Sequence, residues 1–321
     1  MARKYDAAVM HDYFVDRLVH TGSLRDTMGM VREKAGSGGG GLHGFRQDDV
    51  RGGNAVNLAH ALARLGMRVL LITHSDRVHE PLLRQAFEGL DAEIRVKPYP
   101  AGLTIAFEEK VNVMLSDTSG ASDFGPSSIA EEDWSALERS RVACSVNWAA
   151  NRRGTELLVA LRRRLGKEKT IFLNPADFRD RIQEYGDLLR KIAREHVVDW
   201  ISSNEQEGGA SASSLGISAR GMAPTCKALA RGLGVVYDLH SVRSSHTSEG
   251  TRVSSAPVHR IKPKRLTGAG DVWDAGAIYG RLKGMDEVPR LEFANRAAKL
   301  YLMSEEVQPP TLSQVMKEEG P

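Results

Sequence analysis

A short glycine-rich turn near the C-terminal end of the chain carries an aspartate that could do chemistry. Residues 266–276 read Leu-Thr-Gly-Ala-Gly-Asp-Val-Trp-Asp-Ala-Gly, and the residues after Asp271 predict a helix that runs to about residue 282. A glycine turn that opens a helix directs backbone N–H groups and the positive end of the helix dipole towards a bound anion. A carboxylate there suits phosphoryl transfer, because the amides hold developing negative charge while the carboxylate takes a proton from the attacking hydroxyl.

Two other interpretations of this turn stay open on these residues alone. The turn could be an ordinary helix start, in which Asp271 only complements the helix dipole. A dinucleotide-binding turn agrees less well with the sequence, because the third glycine of that motif is absent and the turn lies late in the chain. A Gly-x-Gly turn therefore does not establish catalysis without further support.

The pattern of apolar residues predicts the elements that position this turn. Short apolar segments alternate with longer amphipathic ones, which predicts strands at residues 7–10, 69–73, 171–173 and 235–239 and helices at residues 54–65, 155–165 and 226–233. Strands that alternate with helices indicate an α/β fold with a mostly parallel sheet covered by helices on both faces. We expect one such domain over residues 1–321.

Two regions interrupt this alternation. The first contains the glycine-rich segment 36–41, which is not followed by the Gly-Lys-Ser/Thr of a phosphate-binding loop. The second reads as two β-rich segments, 104–108 and 110–115, joined by a turn at Glu109-Lys110. We predict that insertions at about residues 14–49 and 97–122 form a small β-sheet lid over the edge of the main domain.

Composition and charge exclude several classes of function. The chain has 321 residues, of which 41% are hydrophobic and 26% charged, as in ordinary globular proteins. A net charge of +3 is too small to indicate a nucleic-acid partner or an anionic membrane. No apolar run approaches the ~20 residues that span a bilayer, and two distant cysteines fit a reducing compartment. We therefore expect a cytoplasmic protein that binds neither nucleic acid nor a membrane.

Three motifs together resemble the PfkB, or ribokinase-like, carbohydrate kinase family. Residues 267–276 are similar to its C-terminal signature, residues 52–59 to its glycine-glycine signature, and residues 204–207 to its Asn-x-x-Glu motif. The motifs stand in family order and at family spacing, and the resemblance extends over about residues 7–312. It implies a three-layer α/β sandwich with a β-lid. The implied activity is transfer of the terminal phosphoryl group of ATP, or of ADP, to a hydroxyl of a sugar, sugar phosphate or nucleoside.

The resemblance implies roles for single residues at the acceptor side of the reaction. Asp271 would be the general base, and the amides of the segment Gly268, Ala269 and Gly270 would form the anion hole. The acceptor would bind at Gly52, Gly53, Asn57 and an aspartate that follows the first strand. The position along the family pattern favours Asp16 for that aspartate, and Asp12 remains an alternative.

The resemblance also implies roles for residues on the nucleotide side, where the sequence departs from the family pattern at two places. Asn204, His240 and Asn295 would contact the nucleotide, and Glu207 would order hydrated Mg²⁺ through water. The chain has Arg265-Leu266 where the family has Asp-Thr, and residues 238–243 lack the glycines of the loop that covers the nucleotide. ATP is the expected donor, with ADP as the alternative.

Three further expectations remain. Asn174 stands where the family has an aspartate, and the neighbouring Asp177 and Arg179 are further candidates for phosphate or acceptor contacts. The resemblance also implies a homodimer formed through the lids. A catalytically inactive sugar- or nucleotide-binding regulator with the same fold is the alternative function, although an intact Asp271 disfavours it.

Overall fold

The structure is a computed structural model, and it describes residues 5–108, 112–264 and 267–318. The predicted turn at Glu109-Lys110 and the departure at Arg265-Leu266 lie outside the described residues. Within the described part of the chain, the strands form one sheet of nine strands and one of four. No helix in that part is both long and apolar enough to cross a membrane.

The larger sheet is the centre of the molecule. Its strand order is β13-β12-β11-β10-β9-β8-β1-β4-β5, and the strands from β11 to β5 run parallel. The hairpin β12–β13, which the sequence analysis did not predict, adds two antiparallel strands at one edge. The bounds are β1 Tyr5–His11, β4 Val69–His74, β5 Ala92–Lys97, β8 Ser140–Val146, β9 Thr170–Asn174, β10 Trp200–Asn204, β11 Val236–His240, β12 Ser244–Ser248 and β13 Val253–Pro257.

Helices cover both faces of this sheet because successive residues of its strands are apolar and their side chains point to opposite faces. In β1, Ala7 and Val9 belong to one buried cluster while Ala8 and Met10 belong to the other. The first cluster packs on α2 Asn54–Arg64, α3 Glu80–Ala86, α9 Ala269–Leu282, α10 Glu287–Met303 and α11 Leu312–Lys317. The second packs on α4 Glu131–Leu137, α5 Gly154–Leu165, α6 Ile182–Glu195, α7 Glu205–Ser214 and α8 Met222–Leu233. The predicted three-layer α/β architecture is confirmed.

The four-stranded sheet is the predicted lid. It has the order β3-β2-β6-β7, and its bounds are β2 Phe14–His20, β3 Gln47–Gly52, β6 Gly102–Glu108 and β7 Asn112–Asp117. The first insertion reaches Gly52 rather than residue 49. It also contains the helix α1 Leu24–Gly36, which the sequence analysis missed. Helix α1 is largely exposed, so it lacks the apolar stripe by which amphipathic helices are recognised.

Candidate active site

A cleft of about 430 Å³ lies at the carboxyl ends of the central strands. It is bounded by the ends of β9, β10 and β11, the starts of α2 and α9, and lid strand β7. Its lining residues are Asn54, Met114, Asn174, Ala176, Asp177, Asn204, Glu207, His240, Thr267, Gly268, Gly270 and Asp271. Ligands of open α/β sheets bind in this crevice beyond the carboxyl ends of the strands. A wider groove on the outer face of α5 has its charged Arg164 and Lys191 already paired with glutamates.

Asp271 lies at the floor of the cleft, on the first turn of α9. Its side chain is buried, and it accepts hydrogen bonds from Nδ2 of Asn54 at 2.9 Å and from Nδ2 of Asn57 at 3.0 Å. Burial raises the pKa of the Asp271 carboxyl well above its usual range, and the two amide donors oppose that rise. The Asp271 carboxyl is therefore held in a fixed orientation and has a raised affinity for a proton.

The start of α9 leaves backbone donors directed at the cleft. Gly268 takes the left-handed conformation with φ of 84°, and no side chain among the described residues caps the helix. The first N–H groups of a helix have no partner within it, so the amides of Ala269 and Gly270 are available to an anion. A 14-residue helix places its positive dipole end at the same point.

Asp12 has a structural role that competes with acceptor binding. Its carboxylate accepts from the backbone N–H groups of Asn54 and Ala55 at 2.8 and 2.9 Å, and from Nδ2 of Asn147 at 2.8 Å. Asp12 thus caps α2 from the link between β1 and β2, where Gly53 offers no side chain for that purpose. A Cβ at Gly53 would lie 2.8 Å from the carbonyl oxygen of Asp12, which explains the second glycine of the pair.

Asp16 lies on lid strand β2, beside Gly52. A Cβ at Gly52 would lie 2.1 Å from an oxygen of the Asp16 carboxylate, so the first glycine makes room for this side chain. The carboxylate accepts a hydrogen bond from Thr104, and burial raises the pKa of Asp16 to about 6. Of the two aspartates, Asp16 is the one whose carboxylate is not engaged in capping a helix.

Asn204 and Glu207 form a reciprocal capping box at the start of α7. The Asn204 side chain accepts from the N–H groups of Gln206 and Glu207, and Glu207 accepts from the backbone N–H and Nδ2 of Asn204 at 2.9 and 2.6 Å. Burial raises the pKa of the Glu207 carboxyl. Both residues line the cleft while also serving the helix start.

His240 stands at the end of β11, on the wall of the cleft. Its ring stacks on Trp273 with centroids 4.7 Å apart, and burial lowers the pKa of His240 to about 4, so the imidazole is neutral. Asn295 lies behind this stack rather than on the cleft wall. Its Oδ1 accepts from Trp273 Nε1 at 2.8 Å and its Nδ2 donates to the carbonyl of Pro257 at 3.1 Å.

A second layer of polar groups lies beneath the cleft. Asn174 donates to Asp274 at 2.6 Å, and Ser202 donates to the same carboxylate at 2.5 Å. Burial raises the pKa of Asp274 to about 7. Asp177 lines the cleft and pairs with the exposed Arg179, whose Nε lies 2.7 Å from its carboxylate. Asn174 therefore lines the cleft and also donates a hydrogen bond to the polar layer below it.

The structure brings most of the predicted residues together. Asp271, Gly268, Gly270, Asn204, Glu207 and His240 all line one cleft, although they come from three separate segments of the chain. Sequence analysis missed Asn54, which contacts Asp271 directly, and Met114 of the lid. Asn54 follows the glycine pair, so its place at the first turn of a helix was a usable signal, whereas nothing marked Met114.

Three solved structures are similar to this chain over nearly their whole length. Adenosine kinase from Sinorhizobium meliloti is 18% identical with a TM-score of 0.78, and the match covers 98% of each chain. A probable sugar kinase from Rhizobium etli is 19% identical with a TM-score of 0.77, covering 99% of this chain and 98% of that one. Arabidopsis thaliana ribokinase, in a complex with ribose and ATP, is 17% identical with a TM-score of 0.76, covering 99% and 98%. No protein-family model and no curated protein sequence matches the chain.

Proposed function

We propose, on the premise that this chain has the ribokinase-like fold, that it is a kinase for a sugar-type hydroxyl. The donor would be ATP or ADP, and the acceptor a sugar, a sugar phosphate or a nucleoside. The observation that carries the proposal is the buried carboxylate of Asp271 beside the start of α9, where no side chain in the described part of the chain caps the helix. A plain helix start would need neither burial nor two side-chain amides directed at the carboxylate.

The proposed reaction is a direct transfer. The acceptor oxygen attacks the terminal phosphorus, its proton passes to Asp271, and the bond from that phosphorus to the leaving nucleotide oxygen breaks. The amides of Gly268, Ala269 and Gly270 stabilise the negative charge on the transferred group. Asn54 and Asn57 keep the carboxylate aligned with the acceptor hydroxyl.

The acceptor site in this proposal is the space between the lid and α2. Asp16 would accept hydrogen bonds from acceptor hydroxyls, since the carboxylate of Asp12 is engaged in capping. Gly52 and Gly53 contribute by letting their own backbone pass close to the Asp16 carboxylate and to the backbone of residues 12–13. Asn57 contributes through Asp271.

The nucleotide site would be the opposite part of the cleft. The neutral, stacked ring of His240 offers a flat wall there, and Asn204 offers a polar side chain at a helix start. Asn295 would act indirectly, because both ends of its amide are bonded to protein groups. Residues 238–243, at the end of β11 and in the turn to β12, lack the glycines of the family's nucleotide loop, so the donor is tested with both ATP and ADP.

The cleft also suits a hydrated magnesium ion next to the phosphates. Within the described residues, no cluster of three or more metal-ligating side chains exists, so the protein would hold Mg²⁺ through water and phosphate oxygens. Glu207 and Asp177 supply carboxylate oxygens at the cleft, which fits that arrangement. Bound Mg²⁺ would neutralise charge on the phosphates.

We expect Glu207→Gln to raise the Mg²⁺ concentration needed for half-maximal turnover. Glutamine can still serve in a capping box, so the fold should persist with a stability change of about 1 kcal/mol or less. Glu205→Gln is the matched control, because Glu205 is exposed on the same helix turn. An unchanged Mg²⁺ titration for Glu207→Gln would remove this residue from the metal site.

A phosphorylation screen tests the proposed function. Purified protein is incubated with Mg²⁺, with ATP or ADP in separate arms, and with a panel of sugars, sugar phosphates and nucleosides. We expect acceptor-dependent product with at least one acceptor, and a rate of product formation lowered by ~10²-fold or more with Asp271→Asn. Binding of sugar or nucleotide without turnover would support the inactive regulator instead.

We also propose a homodimer that forms through the lids. Leu103, Ile105, Val113 and Leu115 share one face of the lid sheet and are 41–61% exposed, an apolar surface that a second lid could cover. Sedimentation at micromolar concentration should give a dimer, and Leu115→Glu should shift it to monomer. Val242→Glu, on an exposed loop outside the lid, is the control. A parent protein that sediments as a monomer would contradict the proposal.

A further inference from the structure

A line of polar side chains runs from the lid to Asp271. Arg51, on β3, donates from Nη1 to Oδ1 of Asn57 at 2.7 Å, and its Nη2 is hydrogen-bonded to Nδ1 of His60. Asn57 in turn donates from Nδ2 to Oδ2 of Asp271 at 3.0 Å. The line therefore connects a lid strand, helix α2 and helix α9.

The guanidinium of Arg51 fixes the direction of the hydrogen bonds along this line of side chains. Arginine only donates hydrogen bonds, so Asn57 must turn its oxygen towards Arg51 and its NH₂ towards Asp271. A flipped amide would set donor against donor at Arg51 and oxygen against carboxylate at Asp271. His60 must likewise accept at Nδ1, which fits a neutral ring, since burial and then the charge of Arg51 lower the pKa of His60 to about 2.

Arg51 retains its charge although its two hydrogen-bond partners are neutral. Burial lowers the pKa of Arg51 to about 10, which still leaves the guanidinium protonated at neutral pH. The ionisable groups that act on it from neighbouring elements are Tyr301, Asp271, Tyr13 and Asp16. Those that act on Asp271 are Asp274 on its own helix and Asp12 on the opposite side, in addition to Arg51.

We propose that Arg51 is a positioning residue, which acts through Asn57 to hold a hydrogen-bond donor against Asp271 and so couples the base to the seating of lid strand β3 on α2. The inference rests on the proposed function for its catalytic consequence. The structural part of the inference is that the lid controls the ionisation of Asp271. This part depends only on the three hydrogen bonds and not on the proposed function.

The test is the ionisation of Asp271 in Arg51→Lys, a variant that retains the positive charge but loses the planar fork. A lysine cannot hold Asn57 and His60 in the same fixed geometry, so the amide loses its imposed orientation. Because the donor from Asn57 lowers the pKa of Asp271, its loss should raise that pKa by about one unit. Arg17→Lys is the matched control, since Arg17 is exposed on the same lid and pairs with Asp49.

The pKa of Asp271 is read by carbon-13 NMR titration of its side-chain carboxyl, identified by its absence in Asp271→Asn. Arg51→Gln is measured in parallel and should shift the pKa at least as far, since the positive charge is lost as well. In an Asn57→Ala background, Arg51→Lys should add no further shift. In turnover, the acidic limb of kcat against pH should move up by the same amount, while the KM for nucleotide stays within twofold.

The outcomes separate this inference from the proposed function. A titration unchanged by both Arg51 variants, or a shift of equal size in the Asn57→Ala background, overturns the inference even if the protein is an active kinase. A higher KM for the acceptor in the Arg51 variants, with no shift in the acidic limb of kcat against pH, also overturns the inference, because Arg51 would then act on the acceptor. If the Asp271 titration shifts in the Arg51 variants but the protein phosphorylates no acceptor, the result would support the line of hydrogen bonds and contradict the proposed kinase function.

Discussion

Asp271→Asn should lower kcat by ~10²-fold or more, since a positioned general base typically contributes ~10²–10⁴-fold. Asparagine keeps the size of the side chain but does not accept the proton of the acceptor hydroxyl as a carboxylate does. Arg51 prevents Asn57 from turning, so the new amide should present its oxygen to Asn57 while Asn54 turns to match. Steady-state kinetics with the best acceptor of the screen measures the effect.

The stability of the same variant separates a base from a helix-start residue. The folded protein raises the pKa of Asp271, so the buried charge lowers the free energy of unfolding at every pH above that raised value. Asparagine removes the charge, so the thermal midpoint at pH 8 should be equal to or higher than that of the parent. A helix-start role predicts the reverse, a lower midpoint with turnover within threefold of the parent, and that result would refute Asp271 as the base.

Asp26→Asn is the matched control for this substitution. Asp26 also stands in the first turn of a helix, but it is exposed on α1. The change there should leave kcat unaltered and should cost only a few tenths of a kcal/mol, the usual size of an exposed dipole interaction.

Gly268→Ala should lower kcat by ~10²-fold, because an oxyanion donor that is moved or lost typically costs ~10²–10³-fold. Gly268 has φ of 84°, and a Cβ there would lie 2.8 Å from the Tyr301 hydroxyl. The turn must therefore shift, and the amides of Ala269 and Gly270 shift with it. Steady-state kinetics and a urea unfolding curve on the same preparation measure kcat and the free energy of unfolding.

Gly284→Ala controls for backbone strain. Gly284 follows the other end of α9 with φ of 74°, and a Cβ there meets no atom within 4 Å. Both variants should lose stability by about 1–2 kcal/mol from the left-handed conformation, whereas only Gly268→Ala should lose turnover. Equal kcat values for the two glycine variants would contradict an anion hole at the start of α9.

The sequence by itself determined the alternation of strands and helices, although it did not predict every element. The central strands β8 and β10, for example, were not among the predictions. Segments 54–65, 69–73, 155–165 and 171–173 carry clear helix or strand periodicity, and each was predicted within a few residues of its observed bounds. Helix α1 and hairpin β12–β13 were not predicted from the sequence, because the helix is exposed and the hairpin is short and serine-rich.

The sequence also singled out Asp271, because a glycine turn, a carboxylate and a helix stand within a few residues of one another. Only the tertiary structure decided how the acidic groups divide their roles. Asp12 and Asp16 are both acidic and four residues apart, yet one caps α2 and the other lies against Gly52 in the lid. The direction of the Asn57 amide was likewise set by a guanidinium from another element. Such assignments depend on which donors meet an oxygen in space, and local periodicity carries no information about groups brought together by the chain's long-range folding.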